Sequence, residues 1–427
     1  MTKLQILRQS SRLLDVALAD QYSSSEPPLR AELFNADQME VHGSVLAASH
    51  RLSASRRPDR LMSRLIDNYG VLLSTRSLLT QTVKAQDPIT PAGEWLLDNF
   101  HLIEEQIRTA KKNFPRGYSR ELPILNGDSQ DFVLSEGMPR VYDIALEAIA
   151  HGDGRIDPES LNRFIAAYQN VVDLNLGELW AIPIMLRFAL IENLRRVSAR
   201  IAAGLIDRKL AAHWATAMIA TAQTDPKSLI LTIADMARSN PPMVNSFVAE
   251  LARRLQGHST ALALPLTWIS QTLAESNQTI EQLVQSETQS QASNQVSISN
   301  TIASLRFVGS NDWREFVASM STVERTLRLD PTAVYEAMDF ATRDLYRHKV
   351  EALAKRAKVA EVAIAKEAVA LAVSGPQMHV GYYLIDQGLD LLEAAIERIA
   401  PTPSTFYERL HRRRRKLIAV SKKLVPL

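Results

Sequence analysis

Apolar residues recur every three to four positions along most of the chain, and this spacing predicts a succession of amphipathic helices. Around Trp95, for example, the spacing places Phe100 and Ile103 on one helical face. Alternating runs of β-branched residues, which would indicate strands, are scarce, and the 427 residues include only 15 glycines. The pattern therefore predicts an all-α fold, a multi-helix bundle or irregular helical array without a substantial β-sheet.

Prolines and polar stretches divide this helical pattern into four predicted parts. Residues 1–30 are expected to form a flexible arm, and residues 31–85 a helical extension. Residues 86–400 form the predicted main all-α domain, and residues 401–427 a basic segment. Within the main domain, Leu174–Ile206 is the most apolar helical region and is expected at the centre of the core.

Local sequence patterns predict three further features. Asp157 followed by Pro158 is typical of a helix start, so the preceding Asp153–Asp157 run is interpreted as a capped turn and not as a calcium loop. Glu192 stands three and four positions before Arg195 and Arg196, which predicts ion pairs on a helix surface. The tryptophans occupy apolar helical positions and are expected in the core, in preference to a platform for sugar stacking.

The composition narrows the function classes. The 49 basic and 47 acidic residues nearly cancel, so no overall field favours nucleic acid as a partner. Cysteine is absent, which excludes disulfides, thiolate metal sites and cysteine nucleophiles, and agrees with a reducing compartment. No export signal is evident, and the most apolar stretch, Leu179–Ile191, has only 13 residues, too few to cross a bilayer.

Glu94, Asp98, His101 and Glu105 form the sharpest local arrangement, because their spacing predicts one stripe along a helix. Asp98, His101 and Glu105 are accordingly weak candidates for a metal site, which would need further ligands from a facing helix. A solvated stripe of paired side chains is the favoured interpretation, and a docking surface is a third. No motif for a nucleophile, a phosphate loop or an Asp-x-Asp cation site is present, so no catalytic or cofactor-binding residue is predicted.

The C-terminal segment differs from the rest of the chain, because it concentrates positive charge without an acidic residue between Arg409 and Lys423. Its basic residues are Arg409, Arg412, Arg413, Arg414, Arg415, Lys416, Lys422 and Lys423. A nucleic-acid tail, a solvated helix end and a membrane-proximal anchor all remain open. The interleaved apolar residues favour the anchor, because cytoplasmic flanks of membrane spans concentrate Lys and Arg next to anionic lipid.

Several segments from about Pro91 to the basic tail together carry a family resemblance. They are Gly93–Ile107, Pro115–Tyr118, Leu122–Pro123, Gly152–Asp157, Gly177–Arg187, Gln295–Asn300, Asp312–Phe316, Asp339–Asp344, Tyr346–His348 and Gly381–Asp386. In these segments, and in their order, the sequence resembles the cyclic β-1,2-glucan synthases. The resemblance is specific for the family and carries no information about mechanism.

The resemblance implies a large inner-membrane enzyme with transmembrane helices, a family 84 glycosyltransferase domain and a phosphorylase-like region. UDP-glucose and a divalent cation are expected for that full-length protein, with no cofactor in this chain. The chain is then expected to be the cytosolic N-terminal helical scaffold or regulatory region, at the cytoplasmic face of the inner membrane. Its expected partners are the transferase and membrane domains and, through the basic segment, anionic lipid.

Two alternatives stay open at this point. In one, the stripe on residues 94–105 completes a carboxylate and histidine site, and the chain is an enzyme domain. In the other, the chain is a free-standing helical adaptor that shares descent with the family. Whether the chain alone is an enzyme is therefore uncertain from sequence, although no activity is expected of it in isolation.

Overall fold

A computed structural model describes residues 32–53, 60–114, 118–126, 137–257 and 260–400. The α-helices of this part of the chain are α1 (Ala36–Ser49), α2 (Leu61–Lys84), α3 (Pro91–Asp98), α4 (Phe100–Asn113), α5 (Arg140–Ala150), α6 (Pro158–Gln169), α7 (Leu176–Thr224), α8 (Leu229–Arg238), α9 (Asn245–Leu255), α10 (Ala263–Ala274), α11 (Ile280–Ser310), α12 (Trp313–Met320), α13 (Thr322–Leu327), α14 (Val334–Ala337), α15 (Phe340–Ala357), α16 (Glu361–Ser374), α17 (Val380–Ile385) and α18 (Leu389–Ile399).

Short 3-10 helices at Tyr118–Glu121, Pro226–Ser228 and Thr260–Leu262 complete the described helical structure. The extended pairing recorded in the same ranges consists of isolated bridges, from Leu52 to Leu125 and from Ile124 to Pro139. The predicted all-α class is therefore confirmed. Among the described residues, none of the helices combines the length and the apolar character that a bilayer crossing requires.

The chain divides into two compact units. Unit 1 comprises Met1–Val172 and Ala181–Asp312, and unit 2 comprises Asp173–Trp180 and Trp313–Leu427. The four predicted parts, residues 1–30, 31–85, 86–400 and 401–427, stay a prediction. The helices after Trp313 bury a core of their own, so a continuous helical pattern does not imply a single core.

The core of unit 1 includes the long helix α7 from Ala181 onward, with Pro183 inside the helix. Leu190, Ile191 and Leu194 are fully buried, which confirms the expected central position of this apolar region. The helix extends beyond the predicted end at Ile206 to Thr224, and its later turns contribute Trp214 to a cluster with helices α8 to α11. Burial of this continuous apolar surface is the main favourable term in folding.

Side-chain caps fix several helix starts. Asp157 accepts a hydrogen bond from the backbone N–H of Ser160 at 2.9 Å, with Pro158 as the first helical residue, as predicted. Asn35 and Thr279 each form a capping box with a glutamine three positions later, which starts α1 and α11. The polar, glutamine-rich stretch after Thr279 is therefore the first half of a long helix.

Short breaks separate three pairs of neighbouring helices. α3 and α4 are separated at Asn99, whose side-chain oxygen accepts a 2.6 Å hydrogen bond from Arg306. α15 ends where Lys358 adopts a left-handed conformation with φ of 57°, and α16 begins at Glu361. α17 ends at Ile385 before α18 begins at Leu389.

Glu192 joins helices of unit 1 through a buried ion network. Its pairs with Arg195 and Arg196, at 3.2 and 3.3 Å, are present, but the predicted surface location is wrong because the Glu192 side chain is 1% exposed. Arg64 and Asn68 of α2 each donate to the same carboxylate oxygen at 2.8 Å. Burial opposes ionisation of Glu192, yet the Arg64 hydrogen bond and charge outweigh it and lower its pKa to about 2.

Glu324 has the equivalent role in unit 2, where its side chain is completely buried. One of its oxygens accepts hydrogen bonds from Arg347 and from the Tyr335 hydroxyl, both at 2.8 Å. The other oxygen accepts from Arg343 at 2.9 Å and from Arg328 at 3.2 Å. Burial, with the nearby Glu324 charge, raises the pKa of Tyr335, so this phenol remains a hydrogen-bond donor.

Tryptophan positions follow the core prediction only in part. Trp214 in unit 1 and Trp313 in unit 2 are buried, at 6% and 9% exposure. Trp95 is 41% exposed, so its predicted burial is wrong. Leu96 and Phe100, before and after Asn99, are buried, whereas Trp95 lies on the outer side of α3.

Glu361 is a buried carboxyl group at the start of α16 in unit 2. Its oxygen accepts a 2.9 Å hydrogen bond from the backbone N–H of Leu176. Burial raises its pKa to about 7, and the charges of Glu351 and Glu178 act in the same direction, whereas the Leu176 hydrogen bond and Lys355 oppose the rise. The folded protein therefore keeps a proton on the Glu361 carboxyl group up to a higher pH than the unfolded chain, in which this group ionises near its ordinary pKa.

Replacement of Arg347 by alanine is expected to lower the free energy of unfolding by about 3–5 kcal/mol, because it leaves the buried Glu324 charge without its closest cation. Arg347→Lys should lower the free energy of unfolding by less, because lysine keeps the positive charge but lacks the planar guanidinium group. Chemical denaturation monitored by circular dichroism measures both. Arg356→Ala serves as the control in the same unit, because Arg356 is 57% exposed and pairs with Glu393 at the surface, and it should cost about 1 kcal/mol or less. Equal losses for Arg347→Ala and Arg356→Ala would contradict the network.

Glu361 is expected to make stability fall as the pH rises. A pKa raised from 4.5 to about 7 favours the protonated folded state, so its contribution is complete below about pH 4.5 and is lost as the pH passes 7. The change corresponds to about 3 kcal/mol. Glu361→Gln keeps the acceptor for Leu176 and should remove this slope, measured as urea unfolding between pH 5 and about 8. The exposed Glu336→Gln is the control and should retain the slope.

Candidate functional site

The predicted site residues lie on the surface or outside the described ranges. Asp98 ends α3, and His101 and Glu105 lie on α4 beyond the break at Asn99; all three side chains are exposed. The break takes Asp98 out of the continuous helix that the spacing assumed. Metal binding by these residues stays a prediction. The eight basic residues from Arg409 to Lys423 lie outside the described residues.

A different group of ionisable side chains converges in unit 1. Within the described part of the chain, the His, Cys, Asp and Glu residues placed to share a cation are His42, Glu147 and His151, whose ligand atoms lie within 4.8 Å of one another. Nε2 of His42 is 2.9 Å from Oε2 of Glu147, and Nε2 of His151 is 3.1 Å from the same oxygen. These residues are called the His-Glu-His cluster.

Two helices position the cluster. His42 lies in the middle of α1, Glu147 lies in the last turn of α5, and His151 caps the end of α5. Glu147 and His151 are four residues apart, so consecutive turns bring their side chains to one face. The side chains of Glu147 and His151 are 3% and 7% exposed, whereas His42 is 21% exposed and gives the cluster an outer side.

The second ring nitrogen of His151 is also held. Its Nδ1 lies 2.7 Å from the backbone carbonyl oxygen of Glu32, and the ring stacks on Phe34 with centroids 3.8 Å apart. The N–H of Phe34 in turn donates to the His151 carbonyl at 3.1 Å. The orientation of the His151 ring is therefore fixed by contacts on its edge and on its face.

A pocket of about 520 Å³ borders the cluster. His151 lines it together with Phe34, Met39, Asp157 and Phe164. Further lining residues come from α5, the turn before α6, α6 itself and α11, which contributes Val296 and Asn300. Burial raises the pKa of Asp153 on this wall, although hydrogen bonding to Ser297 and the charge of Arg200 oppose the rise. The pocket gives a small molecule access to the His151 side of the cluster.

Two other histidines that contact carboxylates have different surroundings. His50 contacts the Tyr168 hydroxyl through Nδ1 at 2.8 Å and the Asp143 carboxylate through Nε2 at 3.1 Å. His379 contacts Asp330 at 2.8 Å, and the N–H of Val380 donates to the other oxygen of that carboxylate at 2.9 Å. Each of these sites pairs one histidine with one carboxylate, whereas the His-Glu-His cluster directs two imidazoles at a single carboxylate oxygen.

The sequence carried only a partial signal for the cluster. Glu147 and His151 stand at helical spacing and could have been selected from the sequence. His42 stands 105 residues before Glu147, and a pattern within one helix contains no information about such a partner. The exposed stripe on α3 and α4 has more ionisable residues at helical spacing, and the metal site was therefore predicted there.

Comparison with known proteins places the chain in a wider context. No family model matches it. A curated relative, the cyclic beta-(1,2)-glucan synthase NdvB of Rhizobium meliloti (strain 1021), is 31% identical over 400 residues. The similarity covers 91% of this chain and 14% of the length of that relative. The resemblance predicted from the sequence motifs is therefore confirmed: over nine-tenths of its length, the chain is related to a segment of the cyclic β-(1,2)-glucan synthases.

Proposed function

We propose that this chain is a helical scaffold and regulatory region of a membrane-bound cyclic β-1,2-glucan synthase, and that other parts of the synthase transfer glucose. The observation that carries the proposal is the similarity over 91% of the chain to 14% of a much longer synthase. Because the matching segment is so small a share of the relative, most of that synthase lies outside the segment and could be contacted or regulated by it.

The helical architecture supports a role other than glucose transfer. Transfer from a nucleotide sugar ordinarily uses an α/β domain, in which the nucleotide lies at the carboxyl ends of parallel strands. The described residues instead form helices with isolated bridges. Their buried charges, such as Glu192 and Glu324, join one helix to another, which suits a rigid support.

Exposed apolar side chains support contacts with further protein. Val41 and Val45 are 67% and 59% exposed and lie one turn apart on the outer side of α1. On α8, Ile230 and Leu231 are each 61% exposed. Clustered apolar groups on a surface are typical of interaction sites. These two patches are the surfaces that the proposal assigns to the transferase and membrane domains.

The basic segment supports a position next to lipid, at the cytoplasmic face of the inner membrane. Each Lys or Arg close to an anionic leaflet contributes about 1 kcal/mol of attraction. Five of these residues are consecutive, from Arg412 to Lys416, and apolar residues follow them. A stretch of this kind favours a surface that carries both negative charge and hydrocarbon.

The isolated chain is expected to form no β-1,2-glucan from UDP-glucose and Mg²⁺, because the donor site belongs to another part of the synthase. Incorporation of radiolabelled glucose is the measurement, with membranes containing the full-length synthase as the positive control. In those membranes, removal of this region should reduce the glucan yield at least about tenfold, while Arg356→Ala leaves it unchanged. Incorporation by the isolated chain above the protein-free background, or full yield without the region, would overturn the proposal.

Binding to vesicles tests the basic segment separately. Conversion of Arg412, Arg413, Arg414, Arg415 and Lys416 to Gln should reduce sedimentation of the chain with vesicles of about 30% anionic lipid by at least about tenfold. A matched variant makes the same change in charge at exposed positions elsewhere, at Lys84, Lys112, Lys227, Arg238 and Lys366. Equal loss in both variants would mean that net charge, and not the segment, directs the binding.

A further inference from the structure

We propose that His42, Glu147 and His151 bind a divalent transition-metal ion, with Zn²⁺ the best match, and that the ion fastens α1 to α5. Two imidazole nitrogens and one carboxylate oxygen are a ligand set that such ions accept in proteins. The site is distinct from any cation that accompanies a nucleotide sugar, because it lies within this chain and is built from helices.

The hydrogen bond at Nδ1 of His151 defines which ring nitrogen carries the hydrogen. The backbone carbonyl of Glu32, 2.7 Å from Nδ1, can only accept, so Nδ1 carries the hydrogen. In the neutral ring, Nε2 then presents a lone pair toward Oε2 of Glu147, 3.1 Å away, which is also electron-rich. Two facing acceptors require a cation between them, either a second proton on His151 or a metal ion.

The position of the third ligand favours the metal over the proton. His42 directs its own Nε2 at the same oxygen, at 2.9 Å, so three potential ligand atoms lie within 4.8 Å of one another. A proton serves one pair of atoms, whereas a metal ion coordinates all three. A metal-binding histidine also commonly donates its other N–H to a backbone carbonyl, as His151 does toward Glu32.

The two nitrogen–oxygen distances suit a small ion. Zinc bonds of about 2.0–2.1 Å in tetrahedral geometry separate neighbouring ligand atoms by about 3.3 Å. The two nitrogen–oxygen separations in the cluster are 2.9 and 3.1 Å, so each needs to widen by only a few tenths of an ångström. The side chain of His42 is 21% exposed, which leaves it free to move outward and gives the ion a route of entry.

The bound ion would connect helices that are distant in sequence. His42 belongs to α1, and Glu147 belongs to α5, 105 residues later. Coordination closes this long loop, so the ion would stabilise the folded state by its binding free energy. The fourth position would remain for water or for a molecule in the pocket that His151 lines.

The test begins with the whole chain stripped of metal by a chelator and titrated with Zn²⁺. The expected result is one ion per chain by elemental analysis, with a melting temperature that rises with Zn²⁺ concentration. His42→Gln and His151→Gln should each weaken binding by at least about tenfold and remove most of that rise. Co²⁺ in place of Zn²⁺ should give the visible absorption of tetrahedral coordination in the unaltered chain and not in either variant.

His101→Gln is the matched control, because His101 is exposed on α4 and belongs to the other candidate stripe. It should bind Zn²⁺ as the unaltered chain does. If His151→Gln does not fold, His42→Gln decides the outcome, since His42 is partly exposed and its replacement leaves the core intact. Stoichiometry far below one ion per chain, or equal affinity in His42→Gln and His101→Gln, would overturn the proposal.

Discussion

Buried carboxylates that need cations from other helices are the constraint on which this structure depends. A charge in the core is tolerated only if it is paired and fully hydrogen-bonded, so the partners must arrive together. Glu192 of α7 is bound by Arg64 of α2, and Glu324 of α13 is bound by Arg347 of α15. In each unit, therefore, a buried carboxylate network restricts how these helices can meet.

The features that depend on neighbours in sequence could be predicted, because they need no knowledge of the fold. The all-α class follows from helical spacing, and the Asp157 cap follows from the proline directly after it; the structure confirms the cap through the N–H of Ser160. Breaks that depend on tertiary contacts could not be predicted. Asn99 interrupts a good helical pattern because Arg306, 207 positions later, binds its side chain. The predicted surface location of Glu192 was wrong for the same reason, because its partner Arg64 lies 128 residues away in the sequence.

The segments that carry the family resemblance also contain positions with strong backbone constraints. Gly154 has φ of 76°, and a Cβ at this position would overlap the Thr301 hydroxyl and approach the side chain of Asn193. The backbone carbonyl of the preceding Asp153 accepts a hydrogen bond from Asn300 at 3.2 Å. The turn before α6 is thus fitted closely against α7 and α11, next to the pocket and the His-Glu-His cluster. One of the segments that resemble the synthases therefore also has a closely constrained backbone, and it lies in unit 1.

Hydrogen exchange of backbone amides tests most directly whether the buried carboxylate networks organise the two units. The amides of α7 around Glu192, and those of α13 and α15 around Glu324 and Arg347, should exchange only through global unfolding of their unit. Amides of α8, a ten-residue helix whose outer face exposes Ile230 and Leu231, should exchange much faster. Exchange around Glu192 and Glu324 at the rate seen in α8 would contradict the account, because it would mean that the helices separate locally while the rest of each unit stays folded.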